Sequence, residues 1–108
     1  MATIDDFKNI EIKIGKIVSA AHIEGSEKLL KLLVDFGESE PRQILSGIAK
    51  YYAPEDLVGK SCPFVTNLPP RAMMGLESNG MILAVKTEDG GVVLLHPDKD
   101  VSAGSMLS

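Results

Sequence analysis

From Ile10 the apolar residues fall at every second position. Ile10, Ile12 and Ile14 alternate with Glu11 and Lys13, and Ile17 and Val18 carry the segment on to Ala21. A period of two is the pattern of a half-buried strand that turns one face to a core. Gly15, set inside that pattern, marks a bulge or a sharp bend. A long, bent first strand is typical of small closed barrels, so this segment limits the fold more than any other.

The remaining segments extend the same reading. LLKLLVDF is a second strand that stops at Gly37, GESEPRQ is a hairpin loop, and QILSGIA is a third strand broken at Ser46-Gly47. In AKYYAPEDLVGKS, Pro54 suits a first helical position and Gly59 suits helix termination, which predicts one short helix. CPFVTNL is a fourth strand. GMILAVKT and GVVLLHP form a hairpin around Glu88-Asp89-Gly90-Gly91, and the tail DVSAGSML adds an edge strand. Ahead of the barrel, Thr3 as N-cap, Asp5 and Asp6 in the first turn, and Ile4, Phe7 and Ile10 at helical spacing predict a short amphipathic helix. The predicted class is all-β: a five-stranded Greek-key barrel of the OB type, with a helix between its third and fourth strands and extra elements at both termini. Pattern alone leaves other small β-barrels open.

With 108 residues, the chain forms one domain, residues 1–108, without internal repeats or low-complexity linkers. Its apolar stretches fall far short of the roughly 20 residues that span a bilayer, so no membrane span is expected. The segment MATIDDFKN lacks the apolar core of a signal peptide. A single cysteine, Cys62, excludes an internal disulfide framework and fits a reducing compartment, so a cytoplasmic location is expected. The formal net charge is −4, the wrong sign for a non-specific nucleic-acid binder. A local cationic face can still act on such a domain, with weak and salt-sensitive affinity.

No catalytic constellation is present in the sequence. Gly59-Lys60-Ser61 mimics the end of a P-loop, but Pro54 occupies the place of the leading glycine and a strand follows where a helix is required. Cys62, His22 and His96 are scattered, and Cys62 lies in an apolar strand beside Pro63 and Phe64, where a thiol behaves as a small hydrophobe. Asp5-Asp6 and Glu55-Asp56 are first-turn acids of helices. Neither a cofactor nor a metal is expected.

The cations and one loop carry more information. Lys28 and Lys31 open the second strand, Arg42 and Gln43 open the third, and Lys50 follows it. Asn67 to Leu83 reads as a loop stiffened by Pro69 and Pro70, carrying Arg71, the soft Met73 and Met74, and the Ser78-Asn79-Gly80 turn. Arg42 and Arg71 are the only arginines, and their planar forks suit phosphate oxygens. Aromatic residues are few, which argues against a base-stacking platform and for recognition of a folded RNA's shape and backbone.

FKNIEIKIGKI, EGSEKLLKLLVDFG, RQILSGIAKYY, PEDLVGK and NLPPRAMMGLESNGMILA follow one another in the order found in the tRNA-binding domain family, which this chain resembles from about Phe7 to its C-terminus. The EGSEKL wording is similar to the branch attached to methionyl-tRNA synthetase. Ala72 stands where relatives carry a basic residue after Arg71. The resemblance implies an OB-fold homodimer that binds tRNA with little sequence reading, a free-standing beta subunit partnering the synthetase's catalytic chain and not itself an enzyme. It also implies RNA-contacting positions at Lys28, Arg42, Ser46, Lys50, Asn67, Arg71, Ser78 and Met81. Lys28 and Arg42 would meet phosphates, and Asn67 and Ser78 would meet sugar or base edges. A second branch of the family is chaperone-like, and Met73, Met74 and Met81 would suit an apolar peptide instead.

Overall fold

The computed structural model describes all 108 residues. In chain order the elements are helix α1 (Ile4–Lys8), β1 (Ile12–His22), β2 (Leu30–Asp35), β3 (Arg42–Ser46), helix α2 (Pro54–Leu57) and β4 (Ser61–Val65). They continue with β5 (Arg71–Met73), β6 (Leu76–Ser78), β7 (Met81–Ile82), β8 (Ala84–Lys86) and β9 (Val92–Leu94). Five of the strands form one sheet in the order β3-β2-β1-β4-β7, while β5-β6 and β8-β9 are separate hairpins. The sheet curls until its outer strands meet: the Asn79 N–H donates to the Gln43 carbonyl at 2.9 Å, and the Leu45 N–H donates to Ser78 Oγ at 3.0 Å. This nearly closed five-stranded barrel, with α2 between the third and fourth sheet strands, is the all-β OB-like fold that the sequence implies. No helix is long and apolar enough to cross a membrane.

Alternation builds the interior. Leu30, Leu32 and Val34 of β2 are fully buried, while Lys31 and Leu33 between them turn outward. Ile17, Ile44, Leu57 and Phe64 complete the centre, and Phe36 meets Phe64 edge to face with ring centres 5.3 Å apart. Gly15 is not the site of the irregularity in β1. Its pairing with β4 runs unbroken through Gly15 and Cys62, and the register against β2 shifts instead between Ile17 and Ser19. Gly15 is required for another reason: a Cβ there would collide with Val34 and Phe36.

The peripheral elements follow local chemistry. Thr3 and Asp6 form a reciprocal capping box on α1, whose apolar side chains all remain exposed. The expected tail strand reduces to one bridge, Lys13 to Met106. The run from Gly80 to Thr87 divides at Leu83, giving β7 to the barrel and β8 to a hairpin with β9. Tyr52 packs against the core and accepts the Leu94 N–H at 3.1 Å, while the exposed Tyr51 donates its hydroxyl to the Gly90 carbonyl at 3.1 Å. The tyrosine pair therefore fastens that hairpin to the barrel.

The largest departure from the sequence reading lies in the Asn67–Leu83 segment. Its centre is a β-hairpin, with Arg71 opposite Ser78, Ala72 opposite Glu77 and Met73 opposite Leu76. The two-residue turn is Met74-Gly75, both at positive φ (53° and 75°). Such a turn normally takes Asn or Gly in its first position, so a methionine there is unusual.

Candidate nucleic-acid interface

The outer surface of β2 and β3 is the centre of the candidate site, and the β5-β6 hairpin lies along its edge. Gln43 Nε2 donates to the Glu77 carbonyl at 2.9 Å, which ties the hairpin to β3. Leu45 points outward yet is buried, because the hairpin covers it. On the other side the Ile23–Leu29 loop approaches the hairpin tip, where a Cβ added to Gly25 would touch the Met74 methyl. The Lys28 carbonyl accepts the Ala49 N–H at 3.0 Å, and Leu30 pairs with Ser46. These contacts gather Lys28, Ser46 and Lys50 at one end of the surface. Arg71 and Met81 lie across it, around a small hollow that also touches Ser78.

The eight positions implied by the resemblance fall into two groups. Lys28, Lys50 and Arg71 are exposed and have no carboxylate within ion-pair distance; the only ion pairs join Lys13 to Glu11 and Arg42 to Glu38. Ser46 is half-buried and Met81 is exposed. The other three have their polar atoms engaged inside the fold. Arg42 donates Nε and Nη2 to the two Glu38 carboxylate oxygens at 2.8 and 2.7 Å, and Nη1 to the Thr66 carbonyl at 2.7 Å, and it lies over the Phe36 ring. Asn67 accepts the Glu11 N–H and donates to the Asn9 carbonyl, both at 2.9 Å. Ser78 is buried, accepting from Leu45 and donating to the Gly80 carbonyl at 3.2 Å.

The electrostatics follow this division. Hydrogen bonds from Arg42 hold the Glu38 carboxyl below the usual range, and the same contact raises the Arg42 guanidinium. The Thr66 hydroxyl likewise lowers Glu11. Lys31 is the residue that sequence reasoning noticed but did not carry into the site. It pairs with Leu45, on the outward face beside the hollow; outward alternation from Leu30 and Leu32 was the signal that would have placed it.

Cys62 is fully buried and its thiol is pushed up to about 11 by burial, the state of an unreactive cysteine. His96 Nδ1 lies 2.8 Å from the Ser61 carbonyl, which fixes that nitrogen as the donor, and 3.6 Å from Cys62 Sγ.

Comparison with known proteins decides the family. Residues 12–106 match the family model described as "Putative tRNA binding domain". The chain belongs to the tRNA-binding domain family. A methionine–tRNA ligase of Methanocella arvoryzae is 50% identical over 103 residues, covering 95% of this chain but 15% of the ligase. The chain thus spans about one-sixth of the curated ligases it matches, and the match is to a tRNA-binding module, not to a catalytic domain. Among solved structures, a MetRS-related protein from Pyrococcus horikoshii superposes with a TM-score of 0.93 at 40% identity, covering 100% of this chain and 98% of that one. The chaperone CsaA of Bacillus anthracis superposes at 0.89 with 34% identity, covering 100% and 99%.

Proposed function

We propose that this chain is a free-standing accessory subunit of a cytoplasmic methionyl-tRNA synthetase, itself non-catalytic, that binds tRNA by shape and backbone with little sequence preference. The observation that carries the reading is the set of cations without acidic partners, Lys28, Lys31, Lys50 and Arg71, around the β2-β3 surface and its hairpin. They meet phosphates, with Ser46 and Met81 beside them. Arg42, Asn67 and Ser78 act indirectly, by holding the surface in shape. Few exposed rings are available for stacking, which favours a folded RNA over an extended strand. The acidic remainder of the chain keeps non-specific affinity low.

The subunit acts as a homodimer. Ile4, Phe7 and Ile10 of the N-terminal segment and Met106 and Leu107 of the tail are all exposed. They line adjoining apolar hollows of about 330 and 370 Å³. A capped helix that buries none of its own apolar residues is well explained by a second copy covering it. Mass measurement in solution tests this: a dimer is expected at micromolar concentration, and a monomer contradicts it.

Titrating tRNA binding against salt tests the RNA reading. The slope of log affinity on log salt should fall by about 0.7–0.9 for each phosphate contact removed, and to a similar extent with unrelated tRNAs. A second reading, a peptide-binding chaperone, is favoured by the likeness to CsaA and by Met73 and Met81 lining one hollow, with Met74 exposed in the hairpin turn. Saturable binding of an unfolded polypeptide that tRNA does not displace would select it.

A further inference from the structure

The hollow beside the hairpin combines features that the backbone-reading role leaves unused. Leu45, Leu68, Pro69, Met73 and Met81 line it together with Arg71, around a volume of about 140 Å³. Pockets for drug-sized ligands start at roughly 300 Å³, so this one admits a single ring and not a whole nucleotide or a base pair. Its walls are stiff on one side and soft on the other. Pro69 and Pro70 fix the backbone, while Met81 presents a polarisable thioether.

Two polar features set its chemistry. The Arg71 side chain has neither a carboxylate partner nor a hydrogen bond within the chain, unlike that of the other arginine. Lys31, opposite Leu45 in the sheet, adds a second cation on the same outer face. In addition, the backbone N–H and carbonyl of Leu68, a lining residue, form no hydrogen bond within the chain. An apolar peptide side chain would have no use for two cations or for a free donor and acceptor. A flat heteroaromatic ring attached to a phosphate would use all of them.

We propose that this hollow takes one unstacked nucleobase of the bound RNA, held between Pro69 and Met81, with its adjoining phosphate on Arg71. The inference rests on the tRNA-binding reading above and gives the hairpin a role distinct from that of the lysines. It would also let a chain with few aromatic rings hold one exposed base without a stacking platform. The lysines grip the backbone, and the hairpin fixes where along the RNA that grip falls.

The test is salt-titrated binding of an unmodified tRNA transcript to the full chain and to Met81→Ala and Arg71→Ala. Met81 is exposed, so its truncation should leave the thermal midpoint unchanged. Met81→Ala should weaken binding about fivefold at every salt concentration with the salt slope unchanged, since a base contact releases no counterion. Arg71→Ala should weaken binding and flatten the slope. With 4-thiouridine in the transcript, photo-crosslinks should map to Pro69, Met73 or Met81. Unchanged affinity in Met81→Ala, or crosslinks that avoid these residues, overturns the base pocket while tRNA binding itself stands. Loss of binding to a synthetic apolar peptide with tRNA affinity unaltered reassigns the hollow to peptides and also overturns it. A wild-type chain with no salt-dependent tRNA binding overturns both readings.

Discussion

The chain has two arginines, 29 positions apart, and the fold puts them to opposite uses. Arg42 opens β3 with its fork closed on Glu38, a third N–H on the Thr66 carbonyl, and the Phe36 ring beneath it. Arg71 opens β5 with no partner for its side chain, beside a hollow. The first joins the β2-β3 loop to the end of β4 and so fixes the barrel mouth. The second is left available by a hairpin whose own strands satisfy its backbone. Residue type alone assigns both to phosphate; the difference comes from the neighbours each one meets. Arg42, whose acidic partner lies four residues before it, is committed to the fold, whereas the Arg71 side chain has no acid in reach and stays exposed.

Substitution should separate the two regions most clearly by stability. Arg42→Ala leaves Glu38 and the Thr66 carbonyl without their donor and should cost about 1–3 kcal/mol in a denaturant titration. Arg71→Ala should stay within about 0.5 kcal/mol of wild type. Equal losses would erase the distinction. In tRNA binding the order reverses. Arg71→Ala should weaken affinity roughly tenfold at low salt, about 1.4 kcal/mol, whereas Arg42→Ala at a temperature where it is folded should retain most of its affinity.

Acid titration sharpens the comparison further. Glu38 has a folded-state pKa below its unfolded value, so the stability it contributes is complete above the ordinary glutamate range and is lost as pH falls through the folded value. Thermal midpoints of wild type and Arg42→Ala should therefore converge on acidification, while those of wild type and Arg71→Ala stay parallel. A gap that stays constant down to low pH would remove Glu38 from the clasp.

Much of the fold was legible in the sequence. The alternating Ile residues, Pro54 and Gly59 around α2, and the Thr3 cap each reflect local chemistry, and each element formed where that chemistry placed it. What was not legible depended on distant neighbours. Gly15 is required by Val34 and Phe36, which lie about twenty residues on, and not by a bulge in its own strand. The Asn67–Leu83 segment reads as a loop because Pro69, Pro70 and Gly75 are loop residues. It folds as a hairpin because Met74 accepts a left-handed turn and Gln43 of β3 holds the returning strand. The site residues divide in the same way. Exposure of Lys28 and Lys50 follows from residue type, whereas the engagement of Asn67 with Asn9 and Glu11 required the three-dimensional register.

The smallest effect expected concerns Cys62, which is remote from both arginines. Its folded-state pKa is raised by burial, so stability should decline as pH rises from the ordinary thiol range towards about 11, where only the unfolded thiol ionises. At pH 8 the thiol should react with a thiol reagent only after denaturation. Rapid reaction in the native state would show that the barrel interior opens.

The most direct measurement of the central claim is the salt dependence of tRNA affinity for wild type, Arg42→Ala and Arg71→Ala, taken below the unfolding temperature of all three. The account predicts a slope reduced by about 0.7–0.9 in Arg71→Ala and preserved in Arg42→Ala. A slope preserved in Arg71→Ala and reduced in Arg42→Ala would contradict it.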